Sequence, residues 1–345
     1  KIQDSTVNVH DHRGNGANGA HYDIDGSVVN FYDNGSHGLS TTNLSITDSK
    51  VIASGNSYIG IAVAGSLTIE QDSVVTVTGN AYGSLGYAAM RLYYDYNYNV
   101  DSTSKLYIKD NYNTGLYIRR GNLTVEDGAI LEITGNKVTN SHLDGYGGGL
   151  YVGYGNNYDP TVILPSDAVI YNNHSTKGGD DIYVSEGVNG PSLTFGTVGK
   201  GWALDGDPDC EDIIDGWYDD SEGSRWEAHA ENEEDNHIVE FTDFTDGLAT
   251  VTGLTQLKAA HGADAQSKTS LPGLEKWILQ ENGEDDEIEV ASDSVAAKET
   301  ITFELKSNVP ENLLDYINYP VDEPEVSTFA LGDVEEDYIL TFHDE

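Results

Sequence analysis

The chain contains very little sulfur and few basic side chains. Of its 345 residues one is cysteine, one is methionine and 17 are lysine or arginine, against 59 aspartates and glutamates. The single Cys210 excludes an intramolecular disulfide, and the formal net charge of -42 opposes binding to nucleic acid or to an anionic membrane surface. No apolar run reaches the roughly 18 residues of a membrane-spanning helix. We therefore expect no nucleic-acid partner and no direct membrane insertion.

The shortage of basic residues is uneven along the chain. Residues 1–200 carry 20 acidic and 11 basic side chains, whereas residues 201–345 carry 39 and 6. This asymmetry predicts two differently built regions. The scarcity of cysteine and methionine favours an oxidising exterior. Neither end shows a signal peptide or an anchoring signal, so we expect a mature segment of a longer chain, with other domains of that chain among its partners.

Six short phrases rich in β-forming residues each end in an asparagine. The intervals between these asparagines are 22, 24, 31, 25 and 37 residues, which indicates a repeat protein. Asparagine accepts left-handed backbone angles, and aligned side-chain amides can hydrogen-bond from one repeat to the next. We predict that the asparagines hold tight structural corners and take no part in catalysis. They are Asn34, Asn56, Asn80, Asn111, Asn136 and Asn173.

Two of the repeats, residues 66–80 and 122–136, match almost position for position. Their apolar residues alternate with polar ones, as on a strand with one buried face. A third short strand follows in each repeat, for example at residues 149–152. One such repeat cannot bury its own apolar face, so successive repeats are expected to stack into a solenoid. Three strands in about 22 residues suit a parallel β-helix.

Inserted loops interrupt the repeats at residues 81–104, 137–146 and 153–160. Solenoids commonly carry function on such loops, and two of these loops are dense in tyrosine. Exposed tyrosines provide rigid contact area that can stack on sugars or proteins. We predict a binding role for them, the alternative being that the loops pack over the neighbouring repeat. The residues are Tyr93, Tyr94, Tyr96, Tyr98, Tyr154 and Tyr158.

Three groups of residues are weighed as metal or thiol sites. Asp205, Asp207 and Asp209 alternate as carboxylates do in calcium loops, so calcium is the one cofactor considered, with a solvated acidic loop as the alternative. His10, His12 and His21 cluster near the start, but two ligands two residues apart do not make a zinc site, and a frayed first repeat is expected. Neighbouring carboxylates make Cys210 a poor nucleophile, so no thiol chemistry is expected.

The first half of the chain resembles a known kind of repeat. The phrases at residues 77–80 and 133–136, with Gly147–Val152, resemble the polymorphic outer-membrane-protein type of β-helix repeat found in bacterial surface adhesins. The likeness covers roughly residues 20–190. It implies a fold and an extracellular place on a bacterial cell surface or cell wall, but specifies no ligand.

The second half carries a different resemblance. Residues 215–220, 225–226, 257–262 and 274–276 resemble large surface proteins of Gram-positive gut bacteria. Residues 302–310 and 338–344 resemble the opening half of a pilin-type, isopeptide-forming Ig-like domain.

In that family a lysine on the first strand joins an asparagine on the last strand, assisted by a buried acid. By motif position the lysine would be Lys276 and the acid Asp344, with no asparagine assigned. The alternative is an ordinary exposed lysine and a frayed terminal aspartate.

These observations predict an all-β chain with three regions. Residues 1–195 form a right-handed parallel β-helix, residues 196–270 an acidic, tryptophan-containing connecting region of β and irregular structure, and residues 271–345 a partial Ig-like β-sandwich. The last assignment is partial because such a domain needs about seven strands in about 100 residues.

Two classes of function fit this fold, with a structural spacer as a third. The favoured one is a non-enzymatic adhesin that presents loops to a host glycan or surface protein, on a wall-anchored stalk. The alternative is a polysaccharide lyase or glycoside hydrolase, which would need basic residues or paired carboxylates in one cleft. Arg119 and Arg120 are adjacent, so strand alternation would send them to opposite faces. The loop carboxylates that could converge are Asp95, Asp101, Asp144 and Asp159.

Overall fold

The structure is a computed structural model, and it describes residues 1–82, 88–138, 145–154, 159–188, 190–198, 216–221, 239, 241 and 244–259, with the backbone alone at 202–203, 213–214, 260, 300–303 and 327–330. The chain divides into two compact units, residues 1–266 and 267–345. The described residues form strands and no helix, which confirms the predicted all-β class for this part of the chain. None of them belongs to a helix that could cross a membrane.

The first twenty strands build the parallel part of the first unit. They are β1 (Ile2–Gln3), β2 (Thr6–His10), β3 (Ala17–Asp25), β4 (Val28–Tyr32), β5 (Leu39–Thr47), β6 (Lys50–Ser54), β7 (Ile61–Val63), β8 (Leu67–Glu70), β9 (Val74–Thr78), β10 (Met90–Leu92), β11 (Asn97–Val100), β12 (Lys105–Lys109), β13 (Leu116–Ile118), β14 (Asn122–Val125), β15 (Ile130–Thr134), β16 (Leu150–Val152), β17 (Thr161–Ile163), β18 (Val169–Tyr171), β19 (Ile182–Val184) and β20 (Ser192–Gly196).

Seven of these strands form one parallel sheet in the order β18-β15-β12-β9-β6-β4-β2. Six of the strands alternate buried residues with half-buried or exposed ones, and the edge strand β2 alternates half-buried and exposed residues, because successive side chains point to opposite faces. Val51 of β6, for example, pairs in register with Val29 of β4 and Val75 of β9, and all three are fully buried. Burying one such side chain contributes about 1.5–3 kcal/mol, and each repeat obtains that burial only from its neighbours.

A second, larger sheet divides into two parallel stacks. The first part of β5 pairs with β7 and its second part with β8. From there one stack runs β7-β10-β13-β16-β19 and the other β8-β11-β14-β17-β20. The division begins at Gly65, where a Cβ would collide with the Thr42 carbonyl and the Asn43 side chain. The chain thus visits three parallel stacks in a fixed order, which is compatible with a β-helix or solenoid.

The six predicted corner asparagines form one continuous, buried ladder. In each step the backbone N–H and the side-chain Nδ2 of one asparagine donate to Oδ1 of the next, at 2.7–3.2 Å. Each Nδ2 also donates to a backbone carbonyl of an adjacent repeat, as from Asn111 to Val77 O at 3.0 Å. The left-handed backbone falls one residue earlier than expected, at φ between 53° and 67° on the residue before each asparagine. Those residues are Asp33, Gly55, Gly79, Asp110, Gly135 and Asn172.

A serine ladder marks a second corner, which the sequence interpretation missed. Ser27 Oγ accepts the backbone N–H of Ser5, Ser49 Oγ that of Ser27, and Ser73 Oγ that of Ser49, at 3.0–3.2 Å. Ser27, Ser49 and Ser73 stand directly before strands of the seven-stranded sheet, and that shared position was the available signal.

Antiparallel strands close the stacks at the end formed by β19 and β20. The strands of this cap are β23 (Gly216–Asp219), β24 (Phe244–Thr245), β25 (Leu248–Thr252) and β26 (Thr255–Ala260), while β21 (Trp202–Ala203) and β22 (Ile213–Ile214), which precede them, form a separate two-stranded sheet. β25 pairs with β20 and β26 with β19, so the hairpin β25–β26 covers both stack edges. Covering an exposed edge removes a template for pairing with other chains. The predicted boundary at residues 195 and 196 stays a prediction.

In the second unit the structure describes two strands, β27 (Thr300–Phe303) and β28 (Ser327–Ala330), which pair antiparallel. Lys276 and Asp344, the predicted crosslinking lysine and acid, lie outside the described residues.

Candidate binding surface

The tyrosine-rich segment follows β10 and leads into β11. Tyr94 and Tyr96 are each 48% exposed, and Tyr93 is half-buried. The backbone is tightly turned here, because Tyr96 N–H donates to Tyr94 O at 2.8 Å. Tyr98 lies in the core at 1% exposure, and its hydroxyl donates to Tyr94 O at 2.6 Å. Tyr98 therefore supports the segment from the core. The predicted binding role of Tyr98 is wrong, because a buried side chain cannot contact a surface ligand.

Arginines lie beside these tyrosines. The guanidinium of Arg91 is 3.9 Å from the ring centroid of Tyr93, that of Arg119 is 5.5 Å from the ring of Tyr154, and both are cation–π contacts. Arg119 N–H donates to Leu92 O at 2.9 Å, which joins the ends of β10 and β13.

Arg120 completes this group with an ion pair to Asp95 at 3.6 Å. The strand alternation expected for Arg119 and Arg120 does not apply, because β13 ends at Ile118 and both arginines follow it. We call Tyr93, Tyr94, Tyr96, Arg119, Arg120 and Tyr154 the tyrosine–arginine surface. Tyr158 lies outside the described residues.

A buried tyrosine row lies next to this surface. Tyr117, Tyr151 and Tyr183 occupy the middle position of β13, β16 and β19 in one register, and they pack ring to ring at 5.2 and 4.6 Å. They point away from the apolar core, yet all three are buried, and Ala88 and Tyr146 pack on them. The inserted segments therefore cover this face, and the row supports the exposed tyrosines without contacting solvent itself.

The candidate catalytic carboxylates do not share one environment. Asp101 binds the backbone N–H groups of Gln71 and Thr103, at 2.8 and 3.1 Å. Burial raises its pKa, but the hydrogen bonds that its carboxylate accepts together outweigh burial and leave the pKa lowered, as for a turn-stabilising carboxylate. Asp95 pairs with Arg120, Asp159 is exposed, and Asp144 lies outside the described residues.

The candidate metal sites find no support in the described part of the chain. His10 bonds Asp11 at 2.7 Å and stacks on Tyr32, and it belongs to β2 instead of a frayed first repeat. Among the described residues no three His, Cys, Asp or Glu side chains are grouped to hold a metal ion. Asp205, Asp207, Asp209 and Cys210 lie outside those residues.

A cluster of buried charges joins the stacks to the cap. Asp181 ends the asparagine ladder, since its Oδ1 accepts both N–H groups of Asn173 and its Oδ2 accepts Ala259 N–H of β26 at 2.7 Å. Asp180 Oδ2 accepts from Lys258 Nζ at 3.0 Å, and Asp220 Oδ2 accepts Asp180 N–H at 2.6 Å. Burial alone would lower the pKa of Lys258, but the three carboxylates outweigh burial and leave it raised.

Asp181 makes the stability of the cap depend on pH. Burial raises its pKa to about 7 from a usual 3.8, and the N–H bonds from Ala259 and Asn173 offset only part of that effect. Its stabilising contribution is thus complete below about pH 4 and is lost as the pH rises through 7, because the folded chain holds this proton more tightly than the unfolded chain. We expect the free energy of unfolding to rise by about 2.5 kcal/mol more in wild type than in Asp181→Asn between about pH 8 and about pH 5. Urea titrations at both pH values measure it, and equal pH dependence in the two proteins would exclude Asp181 as the cause.

Comparison of the chain with protein-family models, with curated proteins and with solved structures finds no match.

Proposed function

We propose that the chain is a non-enzymatic binding module of a bacterial cell surface, in which a right-handed parallel β-helix holds the tyrosine–arginine surface for contact with a host glycan or surface protein. The observation that carries this proposal is the set of exposed tyrosines beside arginines at the ends of successive strands. Tyrosine and arginine, with tryptophan, are the side chains enriched at binding hot spots. The resemblance to the β-helix repeats of surface adhesins supports the same class and the same extracellular place.

Buried residues hold the exposed tyrosines and arginines in place, so a ligand would bind to a surface that is already formed. Tyr98 fixes the backbone of Tyr94 by its hydroxyl, and the buried tyrosine row packs beside Arg91 through Tyr117, at 5.1 Å from guanidinium to ring centroid. A surface that is already ordered loses little conformational entropy when it binds. Arg119 also places a positive charge beside Tyr154 on a chain of net charge -42, so an acidic group of a ligand has a favourable contact here, whereas the charge of Arg120 is paired with Asp95.

The test is binding by the double variant Tyr94→Ala/Tyr96→Ala. We expect its affinity for a ligand found on an array of glycans and host surface proteins to fall by at least about tenfold, because two exposed aromatic contacts are lost. Surface plasmon resonance with that ligand measures the change.

Tyr107→Ala is the matched control, because Tyr107 is half-buried on the seven-stranded sheet and lies outside the proposed surface. The control should bind as wild type does. Wild-type affinity in the double variant would remove this surface from consideration, and turnover of a polysaccharide by the wild-type chain would favour the enzyme alternative.

A further inference from the structure

We propose that the cavity between the cap hairpin and the turns that follow β14 and β17 is a second binding site, specific for a neutral oligosaccharide. The cavity has a volume of about 370 Å³, within the range of small-molecule sites. Asp127 and Ser166 line it from the two turns, Thr194 from β20, and Phe244, Asp246 and Thr250 from the hairpin β24–β25. These residues are distinct from the tyrosine–arginine surface, so the site does not depend on that proposal.

A tight turn presents Phe244 at the rim of the cavity. β24 and β25 are joined by Asp246 and Gly247, both with positive φ (53° and 76°), as a two-residue hairpin turn requires. Thr197 N–H donates to Gly247 O at 2.9 Å and ties the turn to the end of β20. Phe244 is nevertheless 60% exposed. A fixed aromatic ring left open to water offers a flat apolar platform to a ligand.

The cavity wall also carries hydroxyl groups, which can form hydrogen bonds with a ligand. Thr194 Oγ1 and Thr250 Oγ1 lie 2.8 Å apart across the β20–β25 pair. One hydroxyl donates to the other, which leaves one proton and several lone pairs for a ligand. A ligand that suits this wall both donates and accepts hydrogen bonds.

The charges in the cavity decide the class of ligand. Asp127 and Asp246 supply carboxylates that accept hydrogen bonds from ligand hydroxyls and repel an anionic ligand. A neutral sugar has hydroxyls that donate and accept, and a C–H face that packs on an aromatic ring. An anionic polysaccharide would meet both carboxylates and the charge of the whole chain, which is -42.

The outer face of the sheet next to the cavity also carries polar side chains that can form hydrogen bonds. Thr194 and Thr250 end a row of paired outward residues, of which the seven on the strands from β5 to β25 are uncharged; the next residue in this register is Asp23 of β3. Along most of this row the side chains are Ser, Thr or Asn, and the exception, Ile163, is an exposed apolar residue. In so acidic a chain an uncharged row gives a longer neutral oligosaccharide a surface to extend along.

Isothermal titration of the full chain with neutral hexasaccharides (cellohexaose, xylohexaose, maltohexaose and fully N-acetylated chitohexaose) and with an anionic galacturonate hexamer tests the site. We expect at least one neutral hexasaccharide to bind, the anionic hexamer to bind more weakly, and the neutral affinity to be insensitive to salt. Phe244→Ala should weaken binding about tenfold through loss of the platform. Thr250→Val, which removes the hydroxyl but keeps the shape, should weaken it several-fold.

Leu254→Ala is the matched control, because Leu254 is an exposed apolar residue of the same cap at the turn between β25 and β26. It should bind as wild type does, and thermal unfolding establishes that the variants fold. The proposal is overturned if no neutral hexasaccharide binds, if the anionic hexamer binds as tightly, or if folded Phe244→Ala and Thr250→Val both keep wild-type affinity. Tyr94→Ala/Tyr96→Ala should retain this binding, which separates the second site from the first.

Discussion

Asn111→Ala is expected to destabilise the first unit by about 4 kcal/mol. The substitution removes the acceptor of Asn80 N–H and Asn80 Nδ2, at 2.9 and 3.2 Å, and the donor to Asn136 Oδ1 and Val77 O, at 2.7 and 3.0 Å. Asn80 and Asn136 are fully buried, so water cannot replace these bonds without opening the stack. A buried polar group left without its partner costs about 1–3 kcal/mol. Urea unfolding followed by circular dichroism measures the loss.

Asn30→Ala serves as the control for that experiment. Its side chain lies on the outer face of β4 and donates to Asn8 Oδ1 at 2.7 Å in a solvent-accessible pair. Water can replace such a bond, so we expect a change within about 0.5 kcal/mol. Equal destabilisation by the two substitutions would mean that the ladder contributes no more than an ordinary surface amide.

Lys258→Met is expected to cost about 3 kcal/mol, the lower end of the range for breaking one side of a buried ion pair, because the Lys258 side chain is 22% exposed. The ammonium that binds Asp180 Oδ2 is removed, while the buried carboxylates of Asp180, Asp181 and Asp220 remain. The loss should appear first as detachment of the cap, which hydrogen exchange at Ala259 N–H and neighbouring amides would detect.

Lys50→Met makes the same change in net charge at an exposed position of β6 and should leave stability almost unchanged. The double variant Asp180→Asn/Lys258→Met should recover part of the loss, because the unpaired charge is also removed. If the double variant is no more stable than Lys258→Met, the loss reflects the lysine's packing and not its charge.

The asparagine positions and the strand pattern could be predicted because the same residue pattern recurs in each repeat. Leu67 and Leu123, which the aligned phrases matched, do occupy equivalent buried positions, and both pair in register with Tyr98. That register also shows how Tyr98 could have been recognised as a core residue. Residues 97–100 read Asn-Tyr-Asn-Val and align with Asn-Leu-Thr-Val at 122–125, so the tyrosine takes the place of a leucine.

The charge cluster and the cavity beside the cap hairpin could not be predicted from the sequence, because neither belongs to the repeat pattern. Lys258 and Asp180 form an ion pair although they are 78 residues apart in the chain. Phe244 and Asp127 line the same cavity only because β25 pairs antiparallel with β20. Local patterns report which face of a strand is buried, but not which distant segment closes the end of a stack. The tyrosine–arginine surface could be predicted in part. Its tyrosines lie in segments that interrupt the repeat and were predicted from the sequence, whereas its arginines were assigned to a strand that ends before them.

The asparagine ladder also has a direction, with a consequence for how long such a stack becomes. Every asparagine side chain donates toward the next repeat and accepts from the previous one, from the N–H of His12 at one end to Asp181 at the other. An amide passes the pattern on because it carries both a donor and an acceptor, whereas both side-chain oxygens of Asp181 accept N–H groups, from Asn173 and from Ala259. The ladder therefore ends at Asp181, where an oxygen takes the place of the side-chain NH₂ that would donate to a further repeat, and the cap strand β26 supplies the N–H group of Ala259 at that position.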